Sequence, residues 1–257
     1  IWKHKHPKSD IDNWRLVGIL AISSKVVSKM CHWRMQKVAT QVWSQTQYGF
    51  VPNSWTMDAG FVIMRLMEEF RTTRDVQGED EYERYRNTLY LMFEDYTQAF
   101  DGMQRDVLWT VLRQVYGMPQ EFVDLLKRFH DDFKIFTVVN NMYGQGFLTA
   151  SGCRQGCIKG PDLWNMLFQC VMWAIVIRMK RRDLKHGIGI HFNPDGIIRK
   201  RSKTSKAIIV TGNVKDVSFA DDAAVCAVGL RNTAVYDEFY GASEALGLRV
   251  SLTNVAP

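Results

Sequence analysis

The stretch from Leu163 to Met179 is long, mostly apolar and helical in pattern. A helix that is apolar on most of its circumference must be covered on most sides, so other layers have to pack around it. Its longest unbroken apolar run, Cys170 to Ile177, is far short of the roughly 20 residues a membrane span needs. The chain has 257 residues, enough to bury such a core in one large domain or two small ones. No apolar run follows Ile1-Trp2-Lys3-His4-Lys5, so no signal peptide is read there. The first residue is not Met, and a fragment of a longer protein is expected.

Strands and helices are mixed around this segment without strict βα alternation, which predicts an α+β fold. Helical periodicity runs from Ala21 to Trp43, with Ile22, Val26, Val27, Met30 and Val38 as its apolar stripe. Ser54 is a candidate cap for a second helix through Met67 and Phe70. Residues 75–83 are acidic and read as an exposed connection. Leu89 to Phe93 reads as a buried strand. A helix follows with Val107, Leu108, Val111, Leu112 and Val115 on one side, ended by Gly117 and Pro119, and another covers about 120–130. Short extended pieces are predicted at Lys134–Val139 and Phe147–Thr149. Ile188–Phe192 is expected to form a hairpin with Ile197-Ile198 across Asn193-Pro194-Asp195-Gly196. Further strands are read at Ala207–Val210 and Val217–Phe219, then a helix at about 233–246.

Charge is unevenly placed. Between Arg178 and Lys206 ten basic residues face two acids, so this stretch carries +8 in a chain of net +6. A basic surface beside a near-neutral body fits a polyanion such as nucleic acid. The five cysteines are scattered and odd in number, which suits a reducing compartment and structural thiols. Cys153 and Cys157 have no His or Cys cluster to complete a zinc site.

The chemistry is expected from acids at strand ends. Asp95 follows the strand at Leu89–Phe93, and Asp221-Asp222 follow Val217-Ser218-Phe219-Ala220. Adjacent carboxylates repel one another unless a cation neutralises them. Hard oxygen donors suit Mg²⁺, and two such ions can serve an in-line phosphoryl displacement. Neighbours on a strand point to opposite faces, so Asp221 and Asp222 cannot both face one site unless a tight turn places them.

Three blocks in this order, Asp95-Tyr96-Thr97-Gln98-Ala99-Phe100-Asp101, Gly152-Cys153-Arg154-Gln155-Gly156-Cys157 and Phe219-Ala220-Asp221-Asp222, closely resemble the reverse transcriptases of LINE-like (non-LTR) retrotransposons. The likeness extends to Asn13-Trp14-Arg15-Leu16 with Lys25, to Gln47 through Thr56, to Arg105-Asp106-Val107-Leu108-Trp109, to Asp195-Gly196 through Lys206, and to Gly247-Leu248-Arg249-Val250. It covers about residues 12–252. The resemblance implies a right-hand polymerase with fingers and palm, an antiparallel palm sheet backed by helices, and an absent or truncated thumb. Residues 1–88 would be the N-terminal part of the fingers. Residues 89–257 would be palm, with the remaining fingers segment at about 120–160.

By the same resemblance, Asp95, Asp221 and Asp222 would be the catalytic metal ligands for two Mg²⁺, Asp221 ranking above Asp222, with Mn²⁺ as a substitute. Asp101 would anchor structure instead. Phe100 would contact the sugar of the incoming nucleotide and leave no room for a 2′-OH. Gln155 and Gly156 would contact nucleotide and template strand. Arg15 and Lys25 would lie near the triphosphate, where cations offset developing charge. Arg199, Lys200, Arg201, Lys203 and Lys206 would bind nucleic-acid phosphates. The implied activity is RNA-directed DNA synthesis from dNTPs on an RNA template and DNA primer. Endonuclease and thumb regions would be linked in a longer polyprotein, and no membrane is expected as a partner. The family's way of life implies an intracellular ribonucleoprotein, nuclear or cytoplasmic.

The chain departs from the family pattern at several positions. Gln98 replaces a usual Lys, and Lys159-Gly160-Pro161 stands where Ser or Ala commonly precedes Pro. Asn254-Val255 falls where Lys-Thr is usual, and that Lys is thought to protonate the leaving pyrophosphate. A decayed or co-opted nucleic-acid-binding module is therefore one alternative. A group II intron-like reverse transcriptase is another, disfavoured by the Gln47–Thr56 and Lys200–Lys206 blocks.

Overall fold

The computed structural model describes residues 4, 6–7, 9–10, 13–14, 18–73, 88–131, 133–139, 141–154, 156–182, 187–192, 210–229 and 232–251. The chain divides into two compact units, each built from two separate stretches. The first comprises residues 1–42 and 98–167, and the second residues 43–97 and 168–257.

In the first unit, α1 (Ile22–Val42) buries Ser28, Cys31, Met35 and Ala39. These recur at intervals of three and four, so they line one face. The predicted stripe fails here: Ile22, Val26, Val27 and Met30 are exposed. The small side chains of Ser28 and Ala39 allow a closer backbone approach than the branched residues on the other side. The Cys157 thiol lies 3.6 Å from Ser28 Oγ on this face. A short helix, α3 (Ala99–Gly102), precedes α4 (Arg105–Thr110), which continues as a π-helical turn at Val111–Val115. Leu108, Trp109, Val111 and Leu112 are buried, while Val115, expected on the same side, is exposed. After α5 (Gln120–Arg128) come short strand pairs: β2 (Lys134–Ile135) with β5 (Phe147–Leu148), and β3 (Val138–Val139) with β4 (Met142–Tyr143).

The apolar segment Leu163–Met179 lies in α6 (Gly160–Arg181), longer at both ends than predicted. It is long and apolar enough to cross a membrane by length and composition, but 72% of its apolar window is buried within the protein.

The second unit is organised by a three-stranded antiparallel sheet. Its order is β1 (Leu89–Glu94), β9 (Asp222–Val228), β8 (Asp216–Phe219). The central strand β9 was not read from the sequence. A separate pair joins β6 (Ile188–Phe192) to β7 (Val210–Val214), Ile188 facing Val214. The partner predicted for β6, residues 197–198, lies outside the described residues, as do residues 75–83. Helix α2 (Thr56–Thr73) starts one residue beyond Trp55, whose N–H donates to the Asp58 carboxylate at 2.7 Å. That bond, rather than one to the expected cap Ser54, satisfies the first turn. Ala59 and Leu66 of α2 share a core with Ile188, Val217 and Cys226. Helix α7 (Asn232–Ala245) completes the unit. The mixture of helices with an antiparallel sheet is the predicted α+β class. All five cysteines are buried, and none forms a disulfide.

Candidate active site

Two sheet strands and one turn bring the three acids singled out in the sequence into one region of the second unit. Strand β1 pairs with β9 from Leu89↔Val228 to Glu94↔Ala223. One further step puts Asp95 level with Asp222, and residues level across a ladder share a face. Strands β8 and β9 are joined by only two residues, Ala220 and Asp221, because Phe219 pairs directly with Asp222. Ala220 takes a positive φ of 60° at the first turn position, which two-residue hairpins require there. This is the tight turn that lets neighbouring acids share a site. Asp222, ranked second by the resemblance, is thus the acid in register with Asp95, with Asp221 beside it in the turn.

Electrostatics agree with that placement. Partial burial raises the Asp222 carboxyl above its ordinary range, and the negative charges of Asp221 and Asp95 push it further. Asp95 and Asp222 are exposed and Asp221 half-buried, so all three can reach a ligand from solvent. Among the described residues no three acidic, His or Cys side chains already form a closed metal cage. Mg²⁺ is commonly held by one or two carboxylates, water and substrate phosphates rather than by such a cage. An open cluster of mutually repelling carboxylates therefore fits a divalent cation.

The backbone around Asp95 is held by the segment after Gly247. Ser251 donates its N–H to the Asp95 carbonyl at 2.8 Å, and Thr97 donates to the Arg249 carbonyl at 2.9 Å. Tyr96 bridges Val250 between them. The Tyr96 side chain is buried, with its hydroxyl 2.9 Å from Ser243 Oγ and its ring edge-on to Phe168. Glu94, next to Asp95, points inward, and burial pushes its carboxyl up to about 7.

The other edge of the hairpin is held by residues 46–49. Ser218 donates to the Thr46 carbonyl at 2.9 Å, and Tyr48 donates to the Ser218 carbonyl at 2.8 Å. The buried Gln47 side chain reaches the turn itself: its Oε1 accepts from the N–H groups of Gly49 at 2.8 Å and Ala220 at 3.2 Å. The sequence marked this block by resemblance but assigned Gln47 no role; only the strand register reveals one.

The remaining candidates in the described residues belong to the first unit. Phe100 lies on α3, half-buried, with its ring centroid 5.4 Å from that of Trp164. Its carbonyl accepts from Cys153 N–H at 2.9 Å. Gly156 has φ +74°, and a Cβ there would sit 2.3 Å from the Gly18 carbonyl oxygen. Glycine is thus required by the turn and by backbone contact together. Lys25 is exposed on α1. Arg15, Gln155, Arg199, Lys200, Arg201, Lys203, Lys206 and Asn254 lie outside the described residues.

The loop around Gly156 is braced by cations to which the sequence assigned no role. Arg105 donates to the carbonyls of Gly152, His130, Thr149 and Ser151, and to Thr149 Oγ1. Arg154 lies over the Phe133 ring at 3.9 Å, and Lys159 over Phe129 at 3.7 Å. Lys159 is fully buried and its ammonium has no hydrogen-bond partner among the described residues, so burial pulls its pKa down.

Comparison with known proteins gives a consistent result. The family described as Reverse transcriptase (RNA-dependent DNA polymerase) matches residues 4–252. An uncharacterised 149 kDa protein of transposon TX1 from Xenopus laevis is 24% identical over 82% of this chain and 15% of its own length. A probable RNA-directed DNA polymerase from transposon BS of Drosophila melanogaster is 24% identical over 65% of this chain and 17% of its own. The chain thus spans less than a fifth of either relative. Among solved structures, a Candida tropicalis telomerase with a fragment of telomeric RNA superposes with a TM-score of 0.53 at 8% identity, over 91% of this chain and 33% of that one. A Candida albicans telomerase gives 0.50 at 10% identity, over 91% and 36%. At such identities these two structures speak for the fold alone.

Proposed function

Since the chain belongs to the reverse transcriptase (RNA-dependent DNA polymerase) family, we propose that it is the templated-synthesis part of a non-LTR retroelement protein, extending a DNA primer on an RNA template from dNTPs. The observation that carries this reading is the convergence of Asp95, Asp221 and Asp222 at the β8–β9 turn.

The family generally uses divalent metal ions. The bound ions, Mg²⁺ by preference, would neutralise developing charge and lower the pKa of the attacking 3′-OH. Asp95, Asp221 and Asp222 would hold them. The chain's own contribution is to keep these carboxylates together before substrate arrives. Such preorganisation stabilises the transition state because little has to move when charge develops. The Asp95 backbone is fixed by Ser251, and the Asp221–Asp222 pair by the two-residue turn.

The roles of Phe100 at the nucleotide sugar, of Gln155 and Gly156 at the nucleotide and template, and of Arg15 and Lys25 at the triphosphate follow from the family pattern. So do phosphate contacts by Arg199, Lys200, Arg201, Lys203 and Lys206. In this reading residues 1–88 are the N-terminal part of the fingers, and residues 89–257 the palm with the remaining fingers segment at about 120–160. Linked endonuclease and thumb regions are part of the same reading, since the transposon relatives are several times longer. So is an intracellular ribonucleoprotein location.

Incorporation of dTTP on poly-rA with an oligo-dT primer tests the proposal. Wild type is expected to extend the primer with Mg²⁺ and not with EDTA, and Asp221→Ala to lose extension by about a thousandfold. Primer–template binding without extension, in this chain and in a C-terminally extended one, would favour the non-catalytic binding module.

A further inference from the structure

We propose that Gln47 is a positioning residue for the metal-binding carboxylates, acting through the backbone of Ala220; this rests on the reading of Asp95, Asp221 and Asp222 as metal ligands.

The turn that carries Asp221 has an inherent weakness. Ala220 holds a φ of 60°, a region that L-residues other than Asn and Asp seldom occupy because Cβ crowds the backbone. Glycine is the usual residue at such a position, and it is absent. Something outside the turn must hold it closed.

Gln47 is placed to do so. Its Oε1 accepts from Ala220 N–H at 3.2 Å, and its Nε2 faces the Ala220 carbonyl oxygen at 3.4 Å. The amide therefore spans both backbone polar groups of the strained residue. The same Oε1 takes the Gly49 N–H at 2.8 Å, which fixes the amide's own orientation. Gln47 is buried, and its backbone bridges Ser218 in parallel register. Water cannot easily substitute for a side chain in that position.

Gly49 shows how close the two segments lie. A Cβ at residue 49 would fall 1.9 Å from the Ala220 nitrogen. The block Gln47-Tyr48-Gly49 thus lies directly against the backbone that orients Asp221 and Asp222. If the amide lets go, Ala220 can relax to negative φ. The hairpin would then splay, and Asp221 would leave its place beside Asp222. Loss of cation affinity is the expected consequence, without any ligand having been removed.

The test is Mn²⁺ binding to the full chain, followed by electron paramagnetic resonance without nucleotide or template. Gln47→Met keeps length and removes both hydrogen-bonding functions. Its dissociation constant for Mn²⁺ is expected to rise by about five- to twentyfold. Adding Ala220→Gly should restore affinity to within about threefold of wild type, because glycine holds positive φ unaided. A purely structural role for Gln47 would not be rescued at the metal by a change at residue 220. Unchanged Mn²⁺ affinity in Gln47→Met, or no recovery in the double variant, overturns the inference.

Amide hydrogen exchange on wild type gives a variant-free check should Gln47→Met not fold. Added Mg²⁺ should slow exchange at Gly49 and Ala220 together, and unchanged exchange at both would overturn the inference. The failure of the functional reading is distinct: wild type would then neither bind Mn²⁺ nor extend a primer.

Discussion

The carbonyl oxygen of Asp95 accepts the N–H of Ser251 at 2.8 Å, tying the first acid of the site to a segment distant in the chain. Thr97 makes the matching bond to Arg249 on the other side of Tyr96. The acid therefore sits between two backbone anchors and has little freedom to swing. Ser251→Pro removes this N–H donor together with the side-chain hydroxyl. Primer extension is expected to fall by about a hundredfold, the scale on which small misplacements act. Stability should drop by only about 1 kcal/mol for the lost bond. Ser251→Ala, which keeps the N–H, should behave as wild type in the same extension and melting assays.

The carboxylate cluster is expected to oppose folding while serving chemistry. Partial burial and the charges of Asp221 and Asp95 raise the Asp222 carboxyl, so its ionised form is disfavoured in the folded chain. Asp222→Asn removes the charge with little change in shape. In EDTA the melting midpoint should rise by about 1–3 °C. Mg²⁺ should stabilise wild type, and the variant less, because ligand-linked stabilisation depends on affinity. Calorimetry with and without Mg²⁺ reads both effects. A lower midpoint for Asp222→Asn in EDTA would contradict the repulsion.

Arg105 gathers the loop before Gly156 by five hydrogen bonds, four of them to carbonyl oxygens. Few neutral side chains could satisfy that many acceptors, and a planar guanidinium does so in a fixed geometry. Arg105→Leu should cost about 3 kcal/mol, since several half-buried carbonyls lose their partner together. Limited proteolysis should then cut near residues 149–154 first. Arg105→Lys is expected to recover less than half of the loss, as an ammonium cannot reach all five acceptors. Full recovery by lysine would show that charge, not the fork, is what the loop needs.

The sequence made strand-end acids, helices of ordinary pattern and the family blocks legible, because each depends on local spacing. What it hid depends on partners. Strand β9 is rich in Ala223, Ala224, Cys226 and Ala227, residues with weak strand signals, and it is a strand because β1 and β8 flank it. In α1 the branched apolar residues looked like the buried stripe. The seam instead follows Ser28, Cys31, Met35 and Ala39, where small side chains permit close approach. The relation of Asp222 to Asp95 also needed register, since alternation does not say which of two adjacent acids lies level with Asp95. Gln47 carried no readable role because its meaning lies in the Ala220 backbone, far along the chain.

Buried His130 makes one contribution to stability that acid removes. Its Nδ1 lies 2.8 Å from the Leu126 carbonyl and therefore carries the proton, leaving Nε2 buried and without a partner among the described residues. Burial pulls the imidazole down to about 4, and the nearby cations Lys159, Arg105 and Arg154 push the same way. The unfolded chain binds this proton near pH 6.5. Stability from the neutral ring is therefore complete above about pH 6.5 and is lost as pH falls towards 4. The loss amounts to about 3 kcal/mol over that window. Asp216 works the other way: burial raises its carboxyl to about 6, so the folded state takes up its proton first and gains stability as pH falls from about 6 to 4. Glu94, raised to about 7 by burial, adds a gain of the same sign between about pH 7 and 4.5, so the His130 contribution is read from the difference between variant and wild type. His130→Phe keeps an aromatic ring against Trp109, which lies 5.3 Å from the imidazole, and removes the titrating group. Urea unfolding at pH 7 and pH 4.5 should then show the variant gaining on wild type as pH falls. Parallel pH profiles would mean that His130 is protonated, or hydrated, in the native protein.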